Sequence, residues 1–116
     1  MNTHTTSARS RPERCCRTIK TLARLPEKQS KRYQRLFKAL GDPTRMEILR
    51  MTAAQDRPLC VCDLVTHFDL SQSTISHHLK SLRDAGLLSV SRAGIWSVCE
   101  IDPDARSLMA DVQALI

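Results

Sequence analysis

Residues 70–88 read LSQSTISHHLKSLRDAGLL, and their spacing decides the fold. Ile75, Leu79 and Leu82 recur at four and three residues, the period of one buried helix face. Ser71 stands just ahead, where its hydroxyl can accept from an unpaired first-turn N–H. Gly86 supplies the stop. The opposite face carries Ser71, Gln72, Ser73, Thr74, Ser76 and His77, with Lys80 and Arg83 further along. His78 falls between the two faces, which predicts a half-buried, hydrogen-bonded ring.

Working outward, a short helix is expected from about Cys62 to Phe68, broken by DLSQ, within which Ser71 caps the longer helix. Two helices around a tight break make a helix-turn-helix, whose second helix enters the major groove. After Gly86, LLSVSRAGIWSVCEI alternates as a two-stranded hairpin turning near Arg92–Gly94, a wing. Ile95, Cys99 and Ile101 alternate along its second strand, so Cys99 reads as core.

Towards the N-terminus, Tyr33, Leu36, Phe37 and Leu40 predict an amphipathic helix over 29–40, stopped by Gly41. Asp42 followed by Pro43 is an N-cap with proline at the first helical position. It opens PTRMEILRMTAA, with Met46, Ile48 and Leu49 as its buried stripe. RTIKTLARL could form a short helix ending at Pro26, and Asp102–Pro103 open a last one, DARSLMADVQALI. The expected fold class is mainly α with a small β-hairpin, a winged helix-turn-helix. The expected organisation is a basic, flexible arm over 1–28 and a DNA-binding and dimerisation domain over 29–116.

Charge points the same way. Residues 1–50 hold thirteen Lys/Arg against four acids, a net of +9, and residues 51–116 hold five against eight, a net of −3. A basic balance favours a polyanion, nucleic acid first. Gln suits adenine, and Ser and Thr hydroxyls serve phosphates or bases. Arg92, taken as the hairpin tip, suits the minor groove. No apolar run approaches a membrane span, and the N-terminus has no secretory apolar stretch, so a cytoplasmic protein is expected. No phosphate loop, Ser/His/Asp set or paired carboxylates suggest an enzyme.

The cysteines need a separate account. Five is an odd number, and Cys15 and Cys16 are adjacent, which is unlike a disulfide framework. Cys60 and Cys62 sit in RPLCVCDLV, residues 57–65. Two residues apart on a helix, side chains point about 200° apart. In an extended segment they share a side. Pro58 disfavours helix before it, so the thiols converge if they lie ahead of the helix or at its first turn. A helix N-terminus there would lower their pKa. Thiolates select soft ions; the bland alternative is two small buried apolar residues.

LFKALGDPTRMEIL, LCVCDL and LSQSTISHHLKSLRDAGLL together resemble the ArsR/SmtB family of metal-responsive repressors, over about residues 33 to 115. The resemblance implies a homodimer on palindromic double-stranded operator DNA, joined through the first and last helices, where Phe37, Leu108, Val112 and Leu115 offer apolar side chains. It makes Cys60 and Cys62 the metal motif. The arsenic-responsive branch often adds a cysteine where Val65 stands here, so the missing thiolate is expected from Cys15 or Cys16. One layout within the family joins an adjacent arm pair to one core thiol; the narrow bite of such a pair suits pyramidal As(III), with Sb(III) as companion. The alternatives are a four-thiolate Cd(II), Pb(II) or Zn(II) site and a thiol-redox sensor. The family's terminal-helix zinc site has no ligands here, and His4 and His67 read as solvated.

Overall fold

The computed structural model describes residues 19–115. Cys15, Cys16, His4 and most of the expected arm lie outside the described residues. The elements run α1 (Glu27–Leu40), α2 (Pro43–Ala53), β1 (Leu59–Cys60), α3 (Val61–Phe68), α4 (Gln72–Asp84), β2 (Leu88–Ala93), β3 (Trp96–Ile101) and α5 (Ala105–Gln113). This is a winged helix-turn-helix, mainly α, with α3 and α4 as the helix pair and β2–β3 as the wing.

The local signals act as their chemistry requires. Asp42 accepts from the Arg45 N–H at 3.1 Å, with Pro43 at the first helical position. Ser71 accepts from the Thr74 N–H at 3.1 Å and so caps α4. Gly86, at φ +81°, ends that helix: its N–H reaches Arg83 O at 2.9 Å and the Leu87 N–H reaches Leu82 O at 3.0 Å. This paired closure needs the left-handed residue that glycine supplies most cheaply. A Cβ at Gly86 would lie 3.6 Å from Leu108 Cδ2, an ordinary contact, so backbone strain alone sets the cost of substitution. Gly86→Ala is expected to lose about 1–2 kcal/mol in urea unfolding, with Gly86→Asn losing less.

Leu36, Ile48, Leu64, Ile75, Leu82, Leu87, Leu88, Leu108 and Cys99 are fully buried and join every helix to the sheet. Cys99 is core, as its alternation implies. Five expectations change. RTIKTLARL is not helical over its described residues, and Ile19 and Leu22 are exposed. Met46 is exposed, and Thr52 takes the buried place on α2, its hydroxyl donating to Ile48 O at 2.8 Å. Leu108 packs into the protomer's own core, leaving Phe37 and Leu115 exposed on the first and last helices.

The wing turns at Gly94–Ile95, since Ala93 pairs with Trp96. Gly94, at φ +64°, fills the first central position of a two-residue turn, which left-handed backbone reserves for glycine. Ile95 therefore sits in the turn, 80% exposed, and Arg92 stands one pair below the tip, opposite Ser97. Finally, the hairpin is part of a three-stranded sheet. Leu59 and Cys60 add an edge strand antiparallel to β3, in the order β1-β3-β2.

Candidate functional site

Cys60 ends β1 and caps α3 with extended backbone, φ −68° and ψ 133°, and Cys62 is the second residue of that helix. The change from strand to helix between them lets both side chains turn the same way. Their Sγ atoms and a carboxylate oxygen of Asp63 all lie within 4.8 Å of one another. Cys60 is half-buried, while Cys62 and Asp63 are exposed, so the cluster opens to solvent on one side. Neither thiol is a buried apolar filler.

Two soft sulfurs and one carboxylate suit a thiophilic or borderline cation better than a hard one. Asp63 is a residue that sequence reasoning missed. The signal available was an acid directly following the second thiol, in the first turn, where its side chain folds back over the helix start. Electrostatics also correct the expected thiol acidity. The hydrogen bond with Cys60, desolvation, and the nearby charges of Cys60 and Asp63 hold the Cys62 thiol above its ordinary range, outweighing the Asp63 N–H. The helix-terminal N–H groups do not win at Cys62. An ion that binds there displaces a proton to do so.

Cys99 stays apart. It is buried against Thr52 Oγ1, with Sγ 3.9 Å away, and desolvation pushes its thiol up.

The second set of residues lies on α4 and the wing. Ser71, Gln72, Ser73, Thr74, Ser76, His77 and Lys80 are all exposed along α4. The Ser71 hydroxyl is engaged in capping and lies 2.8 Å from Thr74 Oγ1 and 3.1 Å from Ser73 Oγ. Gln72, Ser76, Lys80 and Arg83 face Val90 and Ser97 of the wing across a crevice of about 150 Å3. The polar side of α4 and the hairpin thus form one surface. Lys80 Nζ donates to Asp84 Oδ2 at 2.7 Å, and Arg92 Nη1 to Ser97 Oγ at 3.5 Å, both in the open. Such exposed contacts hold their side chains only weakly.

His78 is half-buried and hydrogen-bonded, accepting at Nδ1 from Arg45 Nε at 3.1 Å. The bond ties the start of α2 to the middle of α4 and requires a neutral ring with its proton on Nε2. Desolvation lowers the His78 pKa below 6.5, only partly offset by the Asp42 carboxylate, with Arg45 and His77 adding to the lowering. A depressed histidine contributes stability above its unfolded pKa and loses it as pH falls through the folded one. We expect NMR titration to find the His78 ring neutral at pH 7, with His78→Gln removing the acid-side loss it causes.

Residues 42–90 match the family described as bacterial regulatory proteins of the arsR family. An arsenical resistance operon repressor from Bacillus subtilis is 38% identical over 82 residues, covering 70% of this chain and 77% of that protein. The chain belongs to the ArsR family. The arsenical resistance operon repressor of Escherichia coli is 44% identical over 68 residues, 59% of this chain and 57% of its own length. Among solved structures, the homodimeric winged helix-turn-helix domain of a possible ArsR-family regulator from Mycobacterium bovis matches with a TM-score of 0.62 at 26% identity, covering 81% of this chain and 89% of that one. These ArsR relatives are regulators, and the helix-turn-helix of the family is a DNA-binding unit. No helix among the described residues is long and apolar enough to cross a membrane.

Proposed function

We propose that the chain is a repressor that holds operator DNA as a metal-free homodimer and releases it on binding a thiophilic ion. The observation that carries the sensing is the meeting of Cys60, Cys62 and Asp63 within 4.8 Å, open to solvent, where β1 turns into α3. Cys15 or Cys16, ahead of α1 in the sequence, supplies the remaining thiolate; α1 begins at Glu27, so the folded domain starts two residues before the expected boundary at 29. Three thiolates make the pyramidal site of As(III) or Sb(III), and the arsenical repressors among the relatives favour that ion. Asp63 favours a second reading, since its oxygen suits Cd(II), Pb(II) or Zn(II) better than a trivalent arsenic centre.

On the DNA side, Gln72, Ser73, Ser76 and His77 read base edges in the major groove, Ser71 and Thr74 anchor the helix start near a phosphate, Lys80 takes backbone, and Arg92 enters the minor groove with the wing. A second copy covers exposed Phe37 and Leu115 and closes the groove of about 1000 Å3 between α2 and α5, lined by Leu49, Ala53, Met109 and Val112. Release follows from differential affinity: the ion must favour the dimer form that holds DNA less tightly.

The test is fluorescence anisotropy of a labelled duplex, selected from random sequences by the metal-free chain, titrated under reducing conditions. Arsenite, Cd(II), Pb(II), Zn(II) and peroxide are added in parallel. Release by arsenite near one equivalent per site supports the pyramidal thiolate reading, and release by the divalent ions alone supports the reading with Asp63. Release by peroxide alone replaces both with a redox sensor.

A further inference from the structure

The sheet order makes β3 the shared strand, with β2 on one edge and β1 on the other. Leu59 stands opposite Cys99 and Cys60 opposite Val98, while Trp96 faces Ala93 across the hairpin. Facing residues share a side of a sheet, and successive residues alternate. Cys60, Val98 and Trp96 therefore lie on one face, and Leu59, Cys99 and Val90 on the other, core-ward face. Cys60 joins the wing part-way along it, opposite Val98 and two residues along β3 from Trp96.

The thiol cluster has two neighbours through which it could act, and they differ in stiffness. On α3, the exposed Cys62 and Asp63 are backed by Val61 and Leu64, which share a core with Ile75 and Leu79 of α4, all four at most 4% exposed. A close-packed interior moves only by opening voids, so α3 holds α4 rigidly. On the other side, β1 is two residues long and meets β3 at two residue pairs. From Ser91 to Ala93 the hairpin is exposed throughout. The compliant neighbour is the outer wing: Leu88 and Cys99 at its base lie in that same core, while residues 91–96 are exposed.

The wing also carries a surface to be governed. Ile95 is 80% and Trp96 55% exposed at its tip. Arg92 is close by, and residues 89–97 contain no acid. An apolar tip with one arginine and no negative charge suits the minor groove, where apolar side chains wedge against bases and sugars.

We propose that an ion held by Cys60 and Cys62 acts on DNA through the wing: it alters the β1–β3 join and withdraws the Ile95–Trp96 tip, leaving α4 packed as it is. This rests on the sensing reading above, and the experiment separates the two. The full reduced chain is followed by amide hydrogen exchange with and without one equivalent of arsenite, with Cd(II) in parallel. Exchange is expected to change in peptides covering 88–101 and not in those covering 72–84. A change confined to 72–84, an equal change in both, or none in either with the ion bound overturns the proposal.

A double variant, Ile95→Ser with Trp96→Ser, alters only exposed side chains. On the selected duplex, the ion should weaken the wild type by a factor within the usual range of roughly 5–150-fold for coupled sites. In the variant, metal-free binding is weaker, ion uptake seen by thiolate ultraviolet absorption is unchanged, and the ion's factor falls below about threefold. A factor equal to the wild type's overturns the wing route alone. A wild type that takes up the ion and keeps the duplex overturns the sensing reading, and this inference with it.

Discussion

Cys60→Ser abolishes ion-induced release of operator DNA while metal-free binding remains at the wild-type level. This is the largest functional effect expected of a single substitution in this chain. Cys60 belongs at once to the thiol cluster and to the strand that pairs with β3. Serine keeps the backbone pairing and the half-buried volume, and removes the soft ligand. The response at stake is the coupling between ion and DNA sites, about 1–3 kcal/mol in systems of this kind. Anisotropy titrations of the same duplex, with and without arsenite or Cd(II), measure it directly. Full release by the variant, at the same ion concentration as wild type, places sensing away from β1. Loss of metal-free binding would instead mean that the thiol serves the fold.

Leu64→Ala lowers stability by about 2–5 kcal/mol, a large part of what a small domain possesses. Leu64 is fully buried on α3, directly behind the thiol cluster and within the core that joins α3 to α4. Truncation removes its transfer free energy and leaves a cavity that a helix held on both sides closes poorly. Leu64→Met conserves volume and should cost less than about 1.5 kcal/mol. Urea unfolding at matched protein concentrations checks both, since dimerisation makes apparent stability concentration-dependent. An alanine variant within 1 kcal/mol of wild type would show that the α3–α4 core relaxes freely. The rigidity argued for that side of the site would fall with it.

Much of the architecture was legible because its signals are local. The Ser71 cap, the Asp42–Pro43 start and the Gly86 stop each act within a few residues. The Ile75, Leu79 and Leu82 face follows from helical period alone. Other features were not legible, for identifiable reasons. A two-residue strand has no periodicity, so Leu59–Cys60 read as extended chain with no partner. Gly94 marks a turn near Arg92–Gly94 in the sequence, yet only the Ala93–Trp96 pairing shows that glycine takes the first central position and Ile95 the second. Met46 fits a buried stripe and Leu108 an apolar face of the last helix open to a partner; packing exposes the first and buries the second within the protomer.

The sequence by itself determined the helix order, the helix-turn-helix, the wing and the exposed polar face of α4, because caps, breakers and hydrophobic period act on neighbours along the chain. Tertiary structure alone decided that Asp63 joins the two thiols, that Arg45 donates to His78 across 33 residues, and that Cys60 is registered on the wing. Each of these depends on where a side chain points or which strand edge stays open. Those are properties of elements packed against one another, which no local pattern encodes.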